Sequence, residues 1–196
     1  MFDSFRTYLS DKICLSENEL EKIESYAIKS FQAKRQFLLK EGEVCQNYTF
    51  VIKGCVRLFR IMEDGSEHIV RFATENWWIC DRESLVSGEP ARSNIEALED
   101  CEVLQWSKED FENLQKEIPR FKAFFDYLLE KFLIANINRI YDDISLTAEG
   151  KYQHFIKKHG DVFNRVPLHM VASYLGLARE TLSRIRMQSA LKNGHN

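Results

Sequence analysis

The chain has 196 residues, a formal net charge of −3, 44% apolar residues and fourteen Phe. That length holds one or two domains with real cores, and the apolar content excludes a disordered or low-complexity polymer. The five cysteines, Cys14, Cys45, Cys55, Cys80 and Cys101, are odd in number and never spaced as C-x-x-C, which argues against a disulfide scaffold and for free thiols in a reducing compartment.

The start, MFDSFRTYLSD, lacks a basic stretch followed by a long apolar run, and no segment reaches about 18 uncharged apolar residues. A cytoplasmic protein with no membrane partner is expected. Residues 16–29, SENELEKIESYAIK, open with an N-cap at Ser16 and a capping-box Glu19, and carry apolar residues at helical spacing. They predict a short first helix.

The period then changes to two. Phe37 and Leu39, then Tyr48, Phe50 and Ile52, then Val56 and Leu58, then EHIVRFA at 67–73 predict strands, separated by Gly42, Gly54 and Asp64-Gly65. Two more strand-like runs follow at 93–99 and 101–107. Many short strands with regular turns indicate an antiparallel roll or sandwich.

From Ser107 the pattern is helical again, and Pro119 opens a long helix from near 120 to about 145, roughly 39 Å at the α-helical rise. Phe121, Phe125, Leu128 and Phe132 form one stripe. Phe124, Leu133, Ile137, Ile140 and Ile144 widen it beyond what one neighbour covers, so part of this face is expected to pair with the same helix of a second copy. Thr147 can cap a further helix, AEGKYQHFIKKH, expected to end at Gly160 and weakened in its first turn by Gly150.

Residues 168–187, LHMVASYLGLARETLSRIRM, fit a helix-turn-helix at each special position. Ala172 is small where two helices cross, Gly176 supplies the turn, and Val171, Leu175, Leu177, Leu182 and Ile185 point into the angle between the helices. The outer face of the second helix then carries Arg179, Glu180, Thr181, Ser183 and Arg184, the set expected to meet the DNA major groove. Charge agrees. In residues 151–196 eight Lys and Arg stand against Asp161 and Glu180, a local +6 that leaves −9 on the rest and places a polyanion at the C-terminal end.

This order of elements resembles the Crp/Fnr family of bacterial transcription regulators, most specifically in KGCVRLFRIMEDGSEHIVRF (53–72), ALEDCEVLQWSKEDF (97–111) and LGLARETLSRIR (175–186). The resemblance implies an α+β fold. A cyclic-nucleotide-binding-like antiparallel β-roll or jelly roll would span 1–118, a long dimerisation helix 119–146, and a helix-turn-helix DNA-binding domain 147–196. The chain leaves too few residues after the recognition helix for the wing such domains carry. The resemblance further implies a homodimer on a near-palindromic operator, with double-stranded DNA as partner and RNA polymerase as a second where binding activates.

In nucleotide-binding members a Gly-Glu pair and an Arg-Ser/Thr pair hold the phosphate and ribose. Aligned on ALED, this sequence has Cys80 and Asp81 for the first pair, and Ala91 and Arg92 followed by Ser93 for the second. A Cβ at 80, a shorter acid at 81 and a lost Arg at 91 predict poor binding of cyclic AMP; a one-residue shift would be needed to turn Arg92 inward. No cofactor is predicted, and an effector of other chemistry is left open. Trp77 and Trp78 are expected in the roll core or as an aromatic wall for such an effector.

The clustered N-terminal cysteines of iron-sulfur members are unmatched by lone Cys14. His68, the single roll histidine, gives no support for haem, and no metal site is expected. A cupin-like metalloenzyme would need several His converging with a Glu, so an enzyme is not expected. The other alternative is a β-roll sensor or interaction protein that has lost DNA binding.

Overall fold

The structure is a computed structural model that describes residues 2–193. Helices α1 (Phe2–Ser10) and α2 (Glu17–Ser25) precede the strands. Ser16 caps α2 through the Glu19 amide while the Glu19 carboxylate returns to the Ser16 N–H, so the capping box closes on both sides. The strands are β1 (Ile28–Gln32), β2 (Phe37–Leu39), β3 (Asn47–Lys53), β4 (Val56–Ile61), β5 (Glu67–Ala73), β6 (Trp77–Ile79), β7 (Asn94–Ala97) and β8 (Cys101–Ser107). Helix α3 (Arg82–Ser87) lies between β6 and β7. Helices α4 (Lys108–Glu117), α5 (Pro119–Ser145), α6 (Ala148–Arg165), α7 (Leu168–Leu175) and α8 (Arg179–Asn193) follow.

The strands form two four-stranded antiparallel sheets, ordered β1-β8-β3-β6 and β2-β7-β4-β5. Strand alternation then divides the molecule into three apolar layers. Val51 and Val103 of the first sheet meet Val56, Leu58, Ile95 and Ala97 of the second in the inner layer. The other face of the first sheet, with Phe50, Leu104 and Trp106, packs under α1, α2, α4 and the start of α5. The other face of the second sheet, with Phe59, Ile69 and Phe72, packs under α6, α7 and α8. Strands buried on both faces carry adjacent apolar residues, as β3 does at Phe50-Val51-Ile52 and β8 at Val103-Leu104.

Three expectations about elements need correction. The helix predicted over 16–29 stops at Ser25, because Ile28 onward pairs with β8 as strand β1. The amphipathic α1 precedes it, so α2 is not the first helix. The helix predicted to end at Gly160 runs to Arg165, with a kink at His159 (φ −134°, ψ 38°) where a stop was expected. The expected lack of a wing falls on residues 194–196, outside the described residues.

Helix α5 is laid out as its stripe predicts. Phe121, Phe124 and Phe125 are buried near its start, whereas Leu133, Ile137, Ile140 and Ile144 stand exposed farther along. Among the described residues, no helix is long and apolar enough to cross a membrane.

Candidate nucleic-acid interface and ligand cavity

Helix α7 ends where Gly176 adopts the left-handed conformation (φ 63°, ψ 33°), and the next amide, Leu177, closes on the Ala172 carbonyl at 2.9 Å. The turn brings Val171, Ala172, Leu175, Leu182 and Ile185 into one buried cluster, with Leu177 half-buried beside them. Burying Leu182 and Ile185 fixes the rotation of α8 about its axis. Arg179, Glu180 and Arg184 are consequently exposed, while Thr181 and Ser183 are half-buried at the flanks. The five residues expected to meet DNA therefore lie away from the buried seam, and Arg179, Glu180 and Arg184 are the exposed ones among them.

The helix-turn-helix is docked against the roll, which sequence reasoning missed. Tyr152, Phe155 and Val162 of α6 and Val171 of α7 share the cluster of Phe59, Ile69 and Phe72. Polar contacts surround this layer. Ser173 Oγ accepts the Ile69 N–H at 2.9 Å and donates to the Glu67 carbonyl at 2.6 Å. Arg139 of α5 donates to the carbonyls of Val70 and Tyr174 and lies 4.1 Å from the Tyr174 ring centre. Arg165 forks onto Glu75 at 2.7 and 2.9 Å and also pairs with Glu99. Burial pushes the Glu75 carboxyl up, but Arg165 and the Gly54 N–H outweigh it and hold the pKa at about 2. The same pairs raise the Arg165 guanidinium above its ordinary value.

A second site lies between the inner side of β4–β5, the β6–α3 connection and the first half of α5. It is a cavity of about 570 Å³ walled by Trp77, Trp78, Phe125, Leu128 and Phe132, among others. Trp78 belongs to the aromatic core with Phe50, Trp106 and Phe125 and turns an edge to the cavity; Trp77 is 41% exposed. Trp78 thus belongs to the core, and both tryptophans border the cavity.

The residues at the nucleotide positions are dispersed around this cavity. Cys80 borders it, its thiol pushed to about 12 by burial. Asp81 is buried and caps α3, accepting the Ser84 N–H at 3.1 Å. Ala91 is buried, and its backbone is tied to Gly42 and Glu43. Arg92 is exposed and faces a separate surface beside Ser87, Glu89 and Pro90, so no shift turns it inward. Ser93 is buried, borders the cavity and accepts the Arg60 Nε–H at 3.2 Å.

Arg71 is the cavity residue that sequence reasoning missed. Leu58 pairs with Arg71 and Phe59 with Ile69, so Val70 is a bulge residue. Without it, alternation would place Arg71 on the outer face with Ile69; with it, Arg71 joins Leu58 on the inner face. The register reveals this, because EHIVRFA has adjacent apolar pairs at Ile69-Val70 and Phe72-Ala73 and its pattern alone does not say which face Arg71 takes.

Comparison with known proteins now bears on these sites. Residues 29–117 match the family described as Cyclic nucleotide-binding domain. Patatin-like phospholipase domain-containing protein 6 of Homo sapiens is 26% identical over 82 residues, which are 42% of this chain; the chain covers only 6% of that protein's length. Three solved structures are similar over most of the chain. FixK2 from Bradyrhizobium japonicum has a TM-score of 0.75 at 20% identity, covering 85% of this chain and 86% of the other. The c-di-GMP-responsive global regulator CLP from Xanthomonas campestris has 0.72 at 15%, covering 91% and 93%. A protein described as a transcriptional regulator of the Crp/Fnr family from Eubacterium rectale has 0.71 at 14%, covering 95% and 88%. At such identities the likeness is one of fold.

Proposed function

We infer, for a chain that carries a cyclic nucleotide-binding domain at residues 29–117 and shares the fold of Crp/Fnr-family transcription regulators, that it is a sequence-specific DNA-binding regulator acting as a homodimer. The observation that carries this reading is the rotation of α8. Leu182 and Ile185 are buried, so Arg179, Glu180 and Arg184 face outward together on a segment of net charge +6. Arg can bond bidentately to guanine O6 and N7, and Glu can accept from cytosine N4. Thr181 and Ser183, at the flanks, suit phosphate contacts.

In this reading residues 1–118 sense, 119–146 pair two copies, and 147–196 bind DNA. The exposed apolar side of α5 supports the pairing, and two-fold symmetry then sets half-sites about 10 bp apart, or a multiple of that. Cyclic AMP is not the effector. Asp81 is committed to capping α3, and Ala91 offers no cation where the phosphate would lie.

Gel shifts on genomic fragments test the reading. The protein is expected to retain a subset of fragments against excess random DNA, and Arg184→Ala to weaken that binding by about 1–3 kcal/mol while relaxing preference at one position per half-site. Equal loss on operator and random DNA would reject base reading by Arg184. Calorimetric titration with cyclic AMP is expected to give no micromolar binding.

A further inference from the structure

The cavity between β5 and α5 contains a cation that, among the described residues, no acid pairs with. Arg71 is half-buried there, its guanidinium 4.6 Å from the ring centre of Phe132 and 5.4 Å from that of Trp77. Among the described residues no carboxylate stands within ion-pair distance of it, and it makes no side-chain hydrogen bond. Arg is seldom left so when withdrawn from water, because the desolvation it suffers is ordinarily offset by a paired acid. Burial accordingly pulls the guanidinium pKa below its ordinary value. The Trp78 indole N–H, buried in the same wall, has the Tyr8 hydroxyl as its neighbour but not in good hydrogen-bond geometry.

The rim repeats the imbalance. Arg60, Arg82 and Lys131 border the cavity, against the carboxylates of Asp81 and Glu83. Asp81 is taken by the Ser84 N–H, and Glu83 faces Arg60 at 3.8 Å. The remaining wall is mostly aromatic and aliphatic, with Asn76, Cys80 and Ser93 among it. Its volume, about 570 Å³, falls within the range of roughly 300–1,000 Å³ usual for small-molecule sites. The bulge at Val70 that turns Arg71 inward is a device often found beside binding sites.

We propose that this cavity binds an aromatic carboxylate, with the carboxylate held by the Arg71 guanidinium and the ring system stacked among Trp77, Trp78 and Phe132. The planar guanidinium matches a carboxylate bidentately, and the Phe132 and Trp77 rings beside it offer apolar surface to the ring system. The inference deepens the regulator reading by naming the ligand class of its sensing domain, and rests on that reading only for any consequence at α8.

Calorimetric titration of the DNA-free protein with 1-naphthylacetate and with its neutral amide tests it. The acid is expected to bind at least about tenfold more tightly than the amide, as a charged hydrogen-bonded pair does over a neutral one. Arg71→Gln is expected to erase that preference by weakening the acid far more than the amide, and Arg71→Lys to restore part of it. Equal affinity of acid and amide, no heat from either, or an unaltered preference in Arg71→Gln overturns the proposal. The acid–amide comparison uses the unmodified protein, so it stands even where a variant fails to fold. Gel shifts on the same preparation separate the two ideas: acid binding without DNA retention sinks the regulator alone, and DNA retention without acid preference sinks the cavity assignment alone.

Discussion

Ser173 of α7 completes the free edge of β5 at Ile69. Its hydroxyl accepts the Ile69 N–H at 2.9 Å and donates to the Glu67 carbonyl at 2.6 Å, so one side chain takes up both the donor and the acceptor that an edge strand would otherwise leave open. The strand that carries Arg71 into the cavity is thereby tied to the first helix of the helix-turn-helix. Arg139, reaching both Val70 and Tyr174, ties α5 into the same junction.

Ser173→Ala removes both bonds without adding bulk. It is expected to lower stability by about 1 kcal/mol, near the ordinary net value of a hydrogen bond. Exchange of the Ile69 amide with solvent should quicken more than that of inner-strand amides. Thermal unfolding and amide exchange read the two effects; an unaltered Ile69 exchange rate would show that the hydroxyl does not seal the edge.

Arg165 makes the same junction sensitive to acid. A carboxylate held at about 2 in the folded chain and near 4.5 when unfolded contributes stability that is complete above the unfolded value and disappears as pH falls through the folded one. Unfolding midpoints in urea should therefore drop between about pH 4.5 and pH 2. Arg165→Met should lower stability at neutral pH and shrink this acid-dependent part, because Glu75 then returns toward the ordinary carboxylate range. A parallel pH profile in the two proteins would remove Arg165 as the cause.

The helix-turn-helix was legible because it depends on local rules. A left-handed Gly176, a small Ala172 and five apolar positions are all set within twenty residues. The layout of α5 followed from its width of apolar stripe in the same way. Strand β1 was not legible: Ile28 and Phe31 are exposed, so its short alternation continued the apolar spacing of α2 and looked helical. Strand β6, with three residues, is too short to show a period. Gly160 misled because a glycine stops a helix when it adopts a positive φ, and here the backbone departs from helix at His159 and then resumes. Docking of α6 and α7 on the roll depends on Phe59, Ile69 and Phe72 facing outward, which only the register of the second sheet fixes.

Gly54 is needed for close packing as well as for its φ of 106°. A Cβ there would lie 2.4 Å from the Cys101 Sγ and 2.9 Å from its Cα. Gly54→Ala should cost about 1–3 kcal/mol from backbone strain alone, with the clash added. Its N–H donates to the Glu75 carboxylate at 2.8 Å, and alanine keeps that donor, so the Glu75 pKa rises only insofar as the clash displaces the backbone of residue 54. Denaturant unfolding reads the loss of stability, and carboxyl titration by NMR reads the displacement.

The exposed side of α5 decides whether the regulator reading is right about assembly. Leu133, Ile137, Ile140 and Ile144 recur at spacings of three and four and are 56–82% exposed in the single chain, an apolar seam of the kind two helices bury between them. The native protein is expected to sediment as a dimer. Ile137→Glu places a charge in the middle of that seam and should yield a monomer with unchanged helix content, because the side chain belongs to none of the three buried layers of its own chain. The monomer should bind a single half-site weakly and lose the steep salt dependence expected when two copies neutralise phosphates together. Sedimentation velocity with circular dichroism separates these outcomes from misfolding. A native protein that sediments as a monomer at every concentration would leave α8 working alone, which two-fold operator recognition does not allow.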